Sequence, residues 1–298
     1  MKQKNKKQTV AILILLCLFL ASVGCNIYFI FFKESPIVSF VQNKEEVYNM
    51  ECGIIKNCEK FRTTEDTTII YKFNEDSYSV LREKYDIEKI AGDGTEFEKA
   101  LNLMNTFSQK LAHNGNFPEY TKEMNAVELL DYALDKPQNG LFCRAKAQIF
   151  NEMYLSLNIY SRKLWINPLS AYDTECHVVN EIWDNDYHKW IMLDTTNNLY
   201  WVDENGLPLS ALEVREKFAE QDFITPVKPG DNLSDLNKPH DQYEGFILYT
   251  AKNMVYLQYF MEYGEGEADV IYALLPEKME PKDDCLISEA TVKASPSR

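Results

Sequence analysis

Hydrophobic and polar positions repeat with helical or strand periods along most of this chain, but its first segment does neither. From Val10 to Phe32 the sequence is apolar and uncharged, with Asn26 its one strongly polar side chain. At about 1.5 Å per residue such a run reaches the roughly 30 Å of a bilayer core, which predicts one membrane helix over residues 10–32. Further on, Phe97, Leu101, Met104, Phe107 and Leu111 recur at spacings of three and four, so a helix is expected over 95–113, ended by His-Asn-Gly. A second, over 125–134, opens on Asn125 with Glu128 three residues on, as in a capping box. Asp135 to Gly140 is a turn cluster. A third helix begins near Cys143, capped by Asn139 or Gly140, with Phe142, Ile149, Phe150, Met153, Tyr154 and Leu157 as its buried face.

Strand periods follow. Short strands are expected over 67–73, from Lys163 to Ile166, over 176–183 and 188–194, and over 199–202. Leu209 to Ala219 reads as a helix, 223–238 as loop, the aromatic stretch 246–263 as strands, and the tail after Pro276 as frayed. The segment Asp184-Asn185-Asp186-Tyr187 joins two of the strands. A hairpin loop centred between Asn185 and Asp186 puts His177 opposite Asp194 on one face, with Cβ atoms about 4.5 to 5.5 Å apart. A one-residue slip would separate them, because the side-chain period of a strand is two.

Charge narrows the compartment and the partners. Lys2, Lys4, Lys6 and Lys7 precede the apolar run, which places residues 1–9 in the cytoplasm and the remainder outside. A cleaved signal peptide, or a lipoprotein lipidated on Cys25, is the competing reading; Ser22 and the apolar continuation through Phe32 speak against both. The formal charge of −15 becomes −19 once the four leading lysines are set aside, which disfavours binding to nucleic acid or anionic lipid. Of the seven cysteines, Cys17 and Cys25 lie in the apolar run, and Cys52 and Cys58 are spaced so that they could close a small disulfide loop. Cys176 beside His177 does not make a metal site, since neighbouring strand residues face opposite ways and no other Cys or His has ligand spacing. No cofactor is implied.

The remaining candidates are chemical. A cysteine at a helix N-terminus beside an imidazole has two influences favouring its thiolate. Cys143 would be the nucleophile, His177 the base and acid, and Asp194 the group that orients the ring. The oxyanion would fall to the Cys143 backbone N–H and one further donor, for which Gln138 is the candidate. Trp183 and Trp190 are candidates for core or for the wall of a substrate cleft.

These residues stand in a familiar order. G-L-F-C-R-A-K-A-Q-I-F, then L-N-I-Y-S-R, then C-H-V-V-N-E-I-W, then K-W-I-M-L-D-T-T-N resembles the transglutaminase-like superfamily, over about Tyr85 to Ala219. The resemblance implies Cys143, His177 and Asp194 as a triad, with Ala147 as the small residue four positions after the nucleophile. Three departures bear on the acyl pocket: Gly140 lies three residues before the cysteine instead of two, Thr195 replaces a proline, and Val178-Val179 replaces Ala-Trp. The expected protein is α+β, a papain-like domain with a Cys-bearing helix on an antiparallel sheet, preceded by one transmembrane helix. Residues 33–84 would be a spacer or cap, 85–219 the domain, 220–275 its extension and 276–298 a tail. Its expected activity is thioester chemistry on amide bonds of a protein or peptide, as a peptidase, amidase or acyltransferase. The alternative is a membrane-tethered binding module that keeps the fold.

Overall fold

The computed structural model describes residues 43–297 apart from 171, 237–242 and 281–284, together with positions 19 and 22. It separates into Met1–Met50 and Glu51–Arg298. The run expected to span a membrane falls outside the described residues, save those two positions. Among the described residues no helix is long and apolar enough to cross a bilayer.

The stretch expected as a spacer carries helix α1 (Lys44–Asn57), strand β1 (Ile70–Tyr71) and helix α2 (Ser77–Lys84), with α3 (Ile87–Ala91) behind it. Leu81 and Ile87 enter the main core, so the part of this stretch from Glu51 onward belongs to the larger compact unit and is not a linker. Cys52 and Cys58 are buried and not bonded to each other, so the loop they could have closed is open. Cys52 sits on α1 and Cys58 continues its last turn. Six residues of helix separate them by about 9 Å, more than the roughly 7 Å a disulfide spans.

Three helices then build one side of the domain: α4 (Glu96–Phe107), α5 (Ala126–Asp135) and α6 (Cys143–Ser156). Thr95 and Asn125 each close a capping box with the glutamate three residues on, which is why α4 and α5 start where they do. α6 is central, and every residue from Ala145 to Ser156 is buried, including Lys146, Gln148, Asn151 and Glu152. The structure moves its cap. Phe142 is the N-cap and offers no side-chain bond, while the Asn139 amide donates to the Tyr132 hydroxyl at 3.0 Å.

The sheet is formed from β2 (Ser161–Asn167), β3 (His177–Asp184), β4 (Lys189–Asp194), β5 (Leu199–Val202), β6 (Thr225–Val227), β7 (Tyr256–Phe260) and β9 (Ile271–Leu274). β8 (Glu262–Tyr263) pairs in parallel with β1 in a separate two-stranded sheet. Among the described residues the large sheet runs β6-β5-β4-β3-β2-β7-β9 and is antiparallel throughout. The protein is therefore α+β. One face, with Ile182, Ile191, Leu193, Tyr200 and Val202, shares its core with α2 to α6.

The other face is covered too. Trp201 packs against Phe218 of α7 (Ala211–Glu220) and Phe246 of α8 (Glu244–Asn253). The Trp190 indole donates to the Ala294 carbonyl, just past α9 (Glu289–Lys293). Cover on both sides explains why β2 and β3 are buried at every position. Two expectations change accordingly. The aromatic stretch 246–263 starts as helix α8 before β7 and β8, and the tail after Pro276 is anchored by buried Ile287 and Val292 instead of frayed. β7 and β9, from the expected extension and its end, complete the same sheet.

Candidate active site

The approach to Cys143 is fixed by backbone. Gly140 has φ +67, and a Cβ there would lie 2.8 Å from Asn114 Cβ and 3.1 Å from the Ala112 carbonyl. That close passage allows two bonds of 2.9 Å, Leu141 N–H to Ala112 O and Asn114 N–H to Leu141 O. The first intrahelical bond of α6 is Lys146 N–H to Phe142 O. The N–H groups of Cys143, Arg144 and Ala145 are therefore free of helical partners, and the positive end of the helix lies at the cysteine.

His177 opens β3 and Asp194 closes β4. The hairpin pairs Asn180 with Leu193, Ile182 with Ile191 and Asp184 with Lys189, so its loop is centred between Asp186 and Tyr187, one residue later than expected. This slides the register by two residues: Asp194 lies beyond the last pair, toward Val179, and His177 is its diagonal neighbour. A two-residue slide preserves the face, and diagonal neighbours remain within reach of long side chains. The His177 Nε2 and Asp194 Oδ2 atoms are 2.8 Å apart. Asp194 is further held by the N–H groups of Thr196 at 3.1 Å and Asn197 at 3.0 Å, and by the Asn197 amide at 2.9 Å.

With Nε2 on the carboxylate, the remaining ring nitrogen of His177 is Nδ1, and the Cys143 thiol lies near enough for the two groups to act on each other's ionisation. Burial opposes charge on each of the three groups, and their mutual contacts overcome it. Burial would raise the Cys143 thiol, yet the His177 ring and the Val178 N–H hold it below its ordinary value. Burial would lower His177, yet Asp194 and the thiol push it up to about 10. Asp194 is held below the usual carboxylate range, against burial, by His177 and Asn197. All three directions favour a thiolate beside an imidazolium, the pair that thiol acyl transfer requires.

Other residues expected at the site lie elsewhere. Trp183 and Trp190 face each other at the hairpin end of β3 and β4, six residues or about 20 Å from His177. There they pack edge to face, 5.7 Å between centroids, and line a cavity with Arg162, Lys189 and Glu213 that reaches neither Cys143 nor His177. Gln138 is exposed in the turn ahead of α6. Thr195, where the resembled family has proline, donates its hydroxyl to Asn180 Oδ1 at 2.9 Å, and the Asn180 amide donates to the Ala147 carbonyl at 2.9 Å.

Several participants carried no sequence signal. Tyr249 of α8 sets its ring edgewise on His177, 5.9 Å between centroids, and donates its hydroxyl to the Cys176 carbonyl at 3.2 Å. Lys252, one turn on, meets Asp173 at 3.0 Å and Glu175 at 2.5 Å, so α8 holds the segment that leads into His177. Arg144, next to the nucleophile, is paired to Glu267, which also pairs with Lys163. A cavity of about 280 Å³ adjoins the site at Cys176, bounded by Asn167, Tyr256, Gln258, Ile271 and Cys285. Among the described residues no group of three or more His, Cys, Asp or Glu side chains converges as metal ligands would. The chain matches no family model, no curated protein and no solved structure.

Proposed function

We propose that this chain is a transglutaminase-like thiol enzyme acting on amide bonds, exported and held at the membrane by residues 10–32. The observation that carries the reading is one buried imidazole with Asp194 at 2.8 Å on Nε2 and the Cys143 thiol, at the start of α6, acting on the same ring. The Cys143 thiolate attacks the amide carbon, and the carbonyl electron pair moves to oxygen within reach of the free N–H groups of the first turn of α6. As the carbon-nitrogen bond breaks, His177 gives its Nδ1 proton to the leaving amine, and a thioester remains on Cys143. Water or a second amine then attacks the thioester carbon, His177 takes up the proton it releases, and the carbon–sulfur bond breaks to return the Cys143 thiolate. Water makes the protein a peptidase or amidase, and an amine makes it a cross-linking acyltransferase.

The test needs no substrate. At mildly acidic pH a thiol-reactive probe is expected to modify Cys143 ahead of Cys176 and Cys285, since burial raises the Cys176 thiol while its neighbours lower that of Cys143. His177→Ala is expected to remove that preference. Equal labelling of the three cysteines in the wild type would sink the enzyme reading and leave a binding module built on the same fold.

A further inference from the structure

One turn along α6 from Cys143 stands Lys146, 1% exposed. Its ammonium donates to three carbonyls: Leu111 at 2.8 Å, Thr196 at 3.1 Å and Ser108 at 3.4 Å. Those three bonds use its three protons. Among the described residues no carboxylate forms an ion pair with it. Lys163 of β2, buried to the same degree, contrasts with it by meeting Glu267 directly. A buried cation held only by neutral carbonyls is costly unless its charge is answered nearby.

The answering charge is in the proposed site. In its working form the triad holds a thiolate, an imidazolium and a carboxylate, which together carry one net negative charge in a buried place. Asp194 and Cys143 are the anions whose fields act on Lys146, and His177 and His113 are the imidazoles on the same side. Arg144 is nearer in sequence to the nucleophile, but its guanidinium is committed to Glu267. Geometry makes the link direct as well, because Thr196 belongs to the turn that Asp194 gathers, and Ser108 donates its hydroxyl to Thr195 O at 2.7 Å.

We propose, building on the thiol-enzyme reading above, that Lys146 is a positioning residue whose buried charge makes the ionised Cys143, His177 and Asp194 set electroneutral and so keeps Cys143 a thiolate. It also ties the nucleophile helix to the turn of the acid, so geometry and charge are set by one side chain. Burial lowers Lys146 to about 8, and Asp194 and Cys143 oppose that fall, which leaves it a cation at neutral pH. Without that cation the site is relieved of its net charge by taking a proton back onto sulfur.

The experiment is the pH dependence of Cys143 alkylation by iodoacetamide in the full chain, followed by mass spectrometry from about pH 4 to about pH 9. Lys146→Met is expected to move the acidic midpoint up by about 1 to 2 pH units, the size of shift that one nearby charge produces. Lys146→Arg, which retains the charge, is expected to stay near the wild type. Where Lys146→Met does not fold by circular dichroism, Lys146→Gln, which loses the charge but keeps a donor, is read in the same way. A midpoint that moves less than about 0.3 unit in a folded neutral variant overturns the proposal. So does unfolding of both neutral variants, which would make Lys146 a structural residue only. Absence of preferred Cys143 labelling in the wild type would instead count against the thiol-enzyme reading, so the two failures are distinct.

Discussion

Two fully buried aspartates end neighbouring strands of the sheet, Asp184 on β3 and Asp194 on β4. Each turns one carboxylate oxygen back on the turn that follows. Asp184 Oδ1 accepts from the N–H groups of Asp186 and Tyr187, both at 2.9 Å, and Asp194 Oδ1 accepts from those of Thr196 and Asn197 at 3.1 and 3.0 Å. The second oxygens part company. That of Asp184 takes the Phe97 N–H at the start of α4, at 2.9 Å, whereas that of Asp194 takes the Asn197 amide and the His177 ring. The same local chemistry, an Asp folding onto its own turn, therefore serves a helix start at one end of the hairpin and an imidazole at the other. What makes Asp194 a candidate functional residue is one titratable partner, and burial or hydrogen-bond satisfaction alone does not distinguish the two.

The widest separation between the two is expected from matched alanine variants. Asp194→Ala should slow Cys143 labelling at mildly acidic pH by about 100-fold, because His177 loses the charge that keeps it protonated and the thiol reverts to its neutral form. Asp184→Ala should leave that rate within about twofold but cost about 3 kcal/mol in chemical denaturation, since the buried Phe97 N–H and two turn N–H groups lose their acceptor. Equal loss of labelling in both variants would erase the comparison and make Asp194 one more turn residue.

The same contrast runs through the chain, between features set by near neighbours in sequence and features set by tertiary packing. The capping box at Asn125 and the Cys143 helix rest on contacts a few residues apart, and their sequence patterns state them directly. The His177–Asp194 contact was legible for a different reason, since strand parity survives a register error of two. The cap of α6 was not, because Asn139 found the Tyr132 hydroxyl, a partner supplied by tertiary packing. Helix α8 opens a stretch in which Phe246, Ile247 and Tyr249 favour strands, and packing against Trp201 and His177 overrides that preference. Lys146 looks like an ordinary surface lysine in sequence, and only the three carbonyls converging on it from two other segments reveal its place.

A gentler probe of the same contrast is the tryptophan pair at the Asp184 end. Trp183→Phe keeps an aromatic ring against Trp190 and should cost about 1 to 2 kcal/mol of stability through lost packing. Cys143 labelling should be unchanged, since about 20 Å of strand separates the two ends. A fall in labelling without a matching fall in stability would return Trp183 to the cleft where its sequence position suggested it.

The smallest effect is expected at Asn197, which gives Asp194 two donors, of which Asn197→Ala removes only the side-chain amide. Loss of one hydrogen bond to a charged acceptor should cost about 1 to 2 kcal/mol near neutral pH and slow labelling about threefold. The sign with pH follows from the direction of the Asp194 shift. Its carboxyl is held below the ordinary value of 3.8, so it contributes stability that is present above that value and lost as pH falls through the depressed folded value. Removing the amide lets the folded value rise toward 3.8, so the difference between Asn197→Ala and wild type should shrink as acid protonates Asp194 in both. Stability curves measured from neutral pH downward check this. A difference that stays constant into acid would mean that Asn197 supports the turn and not the charge of Asp194, which would make this end of the hairpin electrostatically like the Asp184 end.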